Sequence, residues 1–182
     1  VKNNQFLKAS FFSAFSTSLK IITVLIIGKV VAVKSGASGM AIYGQLLNFV
    51  AIIIVVSGGA VNDGVIKYVS EYKETNTEIL KKLFSTALKY LLYCSIVVGS
   101  ILILFSKTMS FYVLKSIDYQ IIFVLLGSTI FLYGLNNLLL AILNGFKNFM
   151  KFNFINIFIN IISLLITLIL IYIYDLFGAL LG

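Results

Sequence analysis

Long uncharged apolar runs alternate with short lysine-bearing segments along this chain. Residues 35–62, 119–146 and 152–174 hold no charged side chain, and neither do residues 90–106. A helix rises ~1.5 Å per residue, so about 20 apolar residues cross a hydrocarbon core ~30 Å thick. The pattern predicts five membrane-spanning helices, at about 11–33, 43–63, 84–106, 119–142 and 153–174. A secretory signal peptide has a shorter apolar region and a small-residue cleavage site. The first run here is longer and carries Lys20 near its centre, so it reads as a retained span. The connections are short: a Gly- and Ser-rich turn over 34–42, a loop over 107–118 with an interfacial turn near Phe111 and Tyr112, and a basic loop over 143–152. Residues 64–83 read as an interfacial helical extension, with Glu78 and Lys82 in the favourable i,i+4 order.

Polar side chains inside the spans fall on particular faces. The fifth span carries Asn153, Asn156, Asn160, Ser163 and Thr167 at spacings of three and four, which is one helical face. The fourth has Thr129, Tyr133, Asn136, Asn137 and Asn144; the second has Gln45 and Asn48; the first has Ser13, Ser16, Thr17, Lys20 and Thr23. Such faces serve helix–helix packing, where interhelical hydrogen bonds contribute roughly 1 kcal/mol or less each. Repeated on four spans, they also describe a central hydrated cavity. Lys20 lies ~13 Å along its span, farther than a lysine stem snorkels comfortably, and an intramembrane cation commonly faces a cavity or an anionic partner. Lys29, half a turn round and near the other end, can snorkel. Gly58 and Gly59 are candidates for a flexing point in the second span, or for close helix packing.

Composition agrees with this picture and narrows the chemistry. The chain has 182 residues, 60% hydrophobic and 11% charged, with a mean hydropathy of +1.08. A soluble domain carries about 25% charged residues. The fold class is therefore all-α, a polytopic helical bundle in a membrane. There is no His, Pro, Trp or Arg, and Cys94 is the single cysteine. Imidazole-based catalysis and His/Cys metal sites are excluded, so no cofactor, metal or catalytic residue is assigned. Gly28-Lys29 lacks the rest of a phosphate loop. Asp63 and Asp118 stand at span ends and read as solvated or capping residues.

The net charge of +8 first informs topology. With the N-terminus in the cytoplasm, Lys2, Lys8, Lys67, Lys73, Lys81, Lys82, Lys147 and Lys151 lie inside, against Lys34, Lys107 and Lys115 outside. This asymmetry favours a cytoplasmic N-terminus. A nucleic-acid partner is not supported, for want of Arg or an aromatic-interleaved basic patch.

Spaced motifs carry a resemblance. Lys8-Ala9-Ser10, Lys20-Ile21, Gly28-Lys29-Val30-Val31-Ala32-Val33 and Gly39-Met40-Ala41 open the series. Gly59-Ala60, Asn62, Gly64, Lys67-Tyr68-Val69 and Glu71-Tyr72 follow, then Asn137-Leu138-Leu139-Leu140-Ala141, Gly145-Phe146-Lys147 and Gly178-Ala179-Leu180-Leu181-Gly182. Together they make the chain similar to the Wzx-type O-antigen and polysaccharide-lipid flippases, the common-antigen translocases among them. The resemblance implies two helical lobes around a cavity, in the superfamily of the multidrug and oligosaccharidyl-lipid exporters. This chain would form most of the N-terminal lobe, short of that lobe's last helix and of the second lobe. The resemblance also implies passage of undecaprenyl-pyrophosphate-linked oligosaccharide from the cytoplasmic to the periplasmic leaflet of the bacterial inner membrane, for surface polysaccharide synthesis. Partners would be that substrate, membrane lipids and other polysaccharide assembly proteins. On this view Lys20 attracts the pyrophosphate. Asn136, Asn137, Asn156, Asn160, Ser163, Gln45 and Asn48 line the cavity, and Gly58 and Gly59 flex. A cation-coupled drug antiporter of the same superfamily would need a carboxylate inside the bundle. A membrane glycan polymerase or glycosyltransferase would need a catalytic constellation in its outer loops.

Overall fold

The computed structural model describes residues 2–59 and 61–182, with side chains for residues 10–58 and 61–182. Val1 and Ala60 lie outside the described residues, as do the side chains of Lys2 and Lys8. Every regular element among the described residues is helical. They run α1 (Lys2–Ile54), a wide π-type turn (Val55–Gly59), α2 (Val61–Tyr72), α3 (Thr77–Leu104), α4 (Ser106–Leu114), α5 (Gln120–Gly145) and α6 (Phe149–Leu181). An apolar run in lipid must bond its own backbone groups, and a helix does so within one segment. Four described stretches are long and apolar enough to cross a membrane: Ser10–Gly58, Thr77–Leu104, Gln120–Gly145 and Phe149–Leu181. This is a polytopic, all-helical membrane protein.

The first stretch, of 49 residues, would be ~74 Å long if straight, more than twice a hydrocarbon core. It is not straight. Gly36 has φ 67° and ψ −166°, which ends one helix and starts another. The Met40 side chain lies 3.4 Å from the position a Cβ on Gly28 would take. Twelve residues of straight helix would separate those two by ~18 Å, so the chain folds back at Gly36. Glycine suits this point because it occupies positive φ without a Cβ penalty.

The chain divides into two compact units, one of residues 1–44 with 148–182 and the other of residues 45–147. In the first, α1 and α6 run parallel. Near their starts, Phe12 shares a groove with Met150, Phe154 and Ile155. Near their ends, Lys34 bonds α6: its Nζ donates to the carbonyls of Ile171 (3.1 Å) and Tyr172 (3.3 Å) and pairs with Asp175 Oδ1 at 2.9 Å. Asp175 has φ 51° and ψ −127°, a second break. Beyond it the chain doubles back, packing Gly178 on the backbone of Leu170 and Ile171 and Gly182 on Thr167.

In the second unit, α3 and α5 pack closely through Gly99 and Gly127, each of whose missing Cβ would strike the other's carbonyl oxygen. Small residues let helix backbones approach in this way. Val65 and Val69 of α2 join Leu80, Ala87, Leu91, Leu138 and Ala141 in a buried cluster. Asn76 caps α3, its side-chain oxygen accepting from the backbone of Glu78 (3.1 Å) and Ile79 (3.2 Å). Two local expectations are corrected. Glu78 pairs with Lys81 at 3.4 Å rather than with Lys82. The segment expected as a loop over 107–118 contains α4, stabilised where Leu114 is buried and Ser110 donates to the carbonyl of Ser116.

Candidate functional site

Each unit carries part of the predicted polar set. On α6 the stripe is graded: Asn153 and Thr167 at its ends are buried, and Asn156, Asn160 and Ser163 between them are half-buried. The Asn156 amide donates to the carbonyl of Phe152 at 2.9 Å. Half a turn away, Phe154, Phe158, Ile161 and Leu165 are exposed. The polar face of α6 is thus its covered side, and the apolar face its open side.

On α1, Ser16 is buried and Thr23 half-buried on the same side. The Thr17 hydroxyl is taken by the carbonyl of Ser13, 3.0 Å away. Lys20 is exposed and has no ion pair among the described residues. Counting along the parallel helices from the Phe12 and Lys34 tie points puts Lys20 level with Asn160. The uncompensated cation and the amide therefore stand at one depth of one unit. A hydrated cation and a row of hydroxyls and amides can exchange hydrogen bonds with a phosphorylated, hydroxyl-rich molecule.

In the second unit Asn136 and Asn137 are half-buried on α5, while Gln45 and Asn48 are exposed on α1. Ser128 and Thr129 spend their hydroxyls on the carbonyl of Leu125, 2.9 and 2.8 Å away. Gly58 stands in the wide turn with φ 128°, its missing Cβ 2.9 Å from Leu91 Cδ1, and the backbone of Gly59 closes that turn. Gly58 therefore combines a helix break with close packing. Beside it, buried Ser95 donates to the carbonyl of Ser57 at 3.4 Å, so the broken backbone is partly satisfied by α3. Sequence reading missed Ser57 and Ser95, whose only sequence signal is one hydroxyl beside the glycine pair and another in an apolar run. It also missed the Lys34–Asp175 pair, which joins opposite charges near the ends of two spans.

At the rim, α2 carries Lys67, Tyr68 and Tyr72. The two rings stack with centroids 6.2 Å apart, and Lys67 Nζ lies 5.9 Å from the Tyr68 ring centre. The Glu71 carboxylate pushes the Tyr72 phenol above its usual range, so it stays neutral at physiological pH. Aromatic and lysine side chains together form a customary anchor at a membrane–water interface.

The first unit thus sets the covered polar face of α6 beside α1, which carries the exposed Lys20. The chain is similar to a lipid flippase. It is 29% identical over 141 residues to the Lipid III flippase of Escherichia coli (strain K12), and equally so to that of Shigella flexneri. The matched stretch covers 78% of this chain but 34% of each relative, so the chain spans about a third of the length of the curated relatives it matches. No family model matches the chain, and no solved structure matches it significantly.

Proposed function

We propose that this chain is part of a flippase that carries a polyprenyl-pyrophosphate-linked oligosaccharide, of the O-antigen or common-antigen kind, from the cytoplasmic to the periplasmic leaflet of a bacterial inner membrane. The observation that carries the reading is the level placement of Lys20 and Asn160 on two parallel helices whose other faces are apolar. Such a cargo has a charged pyrophosphate and a hydroxyl-rich glycan, both costly in hydrocarbon. Lys20 offsets the phosphate charge. Within the first unit Asn156, Asn160 and Ser163 offer hydrogen bonds to the glycan; within the second, Asn136, Asn137, Gln45 and Asn48 do the same, and the break at Gly58 and Gly59 is its flexing point. The flippase relatives support the same class of cargo.

Five crossings and a cytoplasmic N-terminus belong to this reading. The fold-back at Gly36 supports counting Ser10–Gly58 as two crossings. So does the parallel course of α1 and α6, since parallel spans require an odd number of crossings between them. The lysine asymmetry favours the N-terminus inside.

The test is Lys20→Ala in the full-length protein. Export of the lipid-linked glycan should fall by at least about tenfold, as for a lost charge-assisted contact of ~1.5–3 kcal/mol, with membrane insertion unchanged. Normal surface polysaccharide with that substitution would overturn the role of Lys20.

A further inference from the structure

A groove of about 340 Å³ opens between α1 and α6 near their starts, lined by Phe12, Met150, Lys151, Phe154 and Ile155. Among the described residues its lining is apolar except for Lys151. Phe12, Met150 and Phe154 are exposed, and Phe154 is 68% so. The groove continues onto the open ridge of Phe158, Ile161 and Leu165, at helical spacing and away from the Asn-bearing face. Lys151 stands in the first turn of α6, which holds no acidic residue. It has no ion pair among the described residues. A cation beside the positive end of a helix is electrostatically unfavourable, and an anion there relieves both charges.

We propose that this groove holds one acyl chain of an anionic phospholipid, with its headgroup phosphate against Lys151. The chain lies between Phe12 and Phe154 and runs on along the Phe158 ridge. Basic pockets between membrane helices commonly take such headgroups. A bilayer lipid fits better than the transported cargo because the groove faces the open apolar side of α6, not its Asn-bearing side. The site stands independently of the transport reading; only the leaflet follows from the orientation proposed above.

The experiment is native mass spectrometry of the full-length protein in mild detergent, with equal amounts of phosphatidylglycerol and phosphatidylcholine bearing identical chains. Phosphatidylglycerol adducts should predominate. Lys151→Gln should reduce that preference roughly fivefold, Lys151→Arg should keep it, and Lys115→Gln, on the segment after α4, should leave it unchanged. Phe154→Ala should weaken retention of both lipids. Equal retention of the two lipids by the unaltered protein would overturn the proposal, as would a preference untouched by Lys151→Gln. One-for-one displacement of phosphatidylglycerol by a polyprenyl pyrophosphate would overturn it too, by assigning the groove to the cargo. A loss of transport leaves the adduct ratio unmoved, so the two readings fail separately.

Discussion

At the residue scale, polar side chains in this apolar chain act mostly where the backbone lacks partners. Asn76 supplies two acceptor contacts to the orphan donors at the start of α3. Asn76→Ala should cost about 1 kcal/mol of stability, read as a lower midpoint of thermal unfolding in detergent; an unchanged midpoint would show the cap to be idle. Lys34 acts similarly, because the break at Asp175 frees carbonyls of Ile171 and Tyr172 that its ammonium takes up. Neither role is written in local sequence. Asn76 follows a polar stretch with many possible caps, and Lys34 and Asp175 are 141 residues apart. Lys20 differs in kind, since it is visible in sequence as a charge inside an apolar run and has no ion pair among the described residues.

At the scale of the element, glycine does two separate things. At Gly36 and Gly58 it permits backbone turns with positive φ. At Gly99 and Gly127 it brings α3 and α5 into backbone contact. Gly99→Val should therefore destabilise the second unit by about 1–3 kcal/mol, because the obstructing atom is the fixed carbonyl of Gly127. Gly64→Ala in α2 meets nothing within 4 Å and should raise stability by about 1 kcal/mol through helix propensity. Comparing the two unfolding midpoints checks the distinction, and equal shifts of one sign would refute it. The helices were legible because lipid demands long uncharged runs, and the turn at Gly36 because Gly and Ser cluster there. The turn at Asp175 was not: its residues read as continuous apolar helix up to the aspartate, and the reversal depends on contacts with Leu170, Ile171 and Lys34. The helix α4 was hidden for another reason, since its nine residues carry too little periodicity to distinguish a short helix from a loop.

At the scale of the molecule, the clearest pattern is on α6, where the fold covers the polar stripe and leaves the apolar ridge open, the inverse of a soluble protein. Sequence periodicity identified the α6 stripe but not its gradation. Thr167 is buried where the doubled-back end packs Gly182 on it, a contact that no single-helix pattern contains. The central claim is that the faces bearing Lys20 and Asn160 meet water within the membrane. The most direct measurement is thiol accessibility in the full-length protein, with Cys94 first replaced by Ser and single cysteines then placed by Lys20→Cys, Asn160→Cys and Ile169→Cys. A water-borne, membrane-impermeant maleimide should label positions 20 and 160 readily and leave position 169, on the exposed apolar face, unmodified. Labelling at 20 and 160 no faster than at 169 would contradict the account.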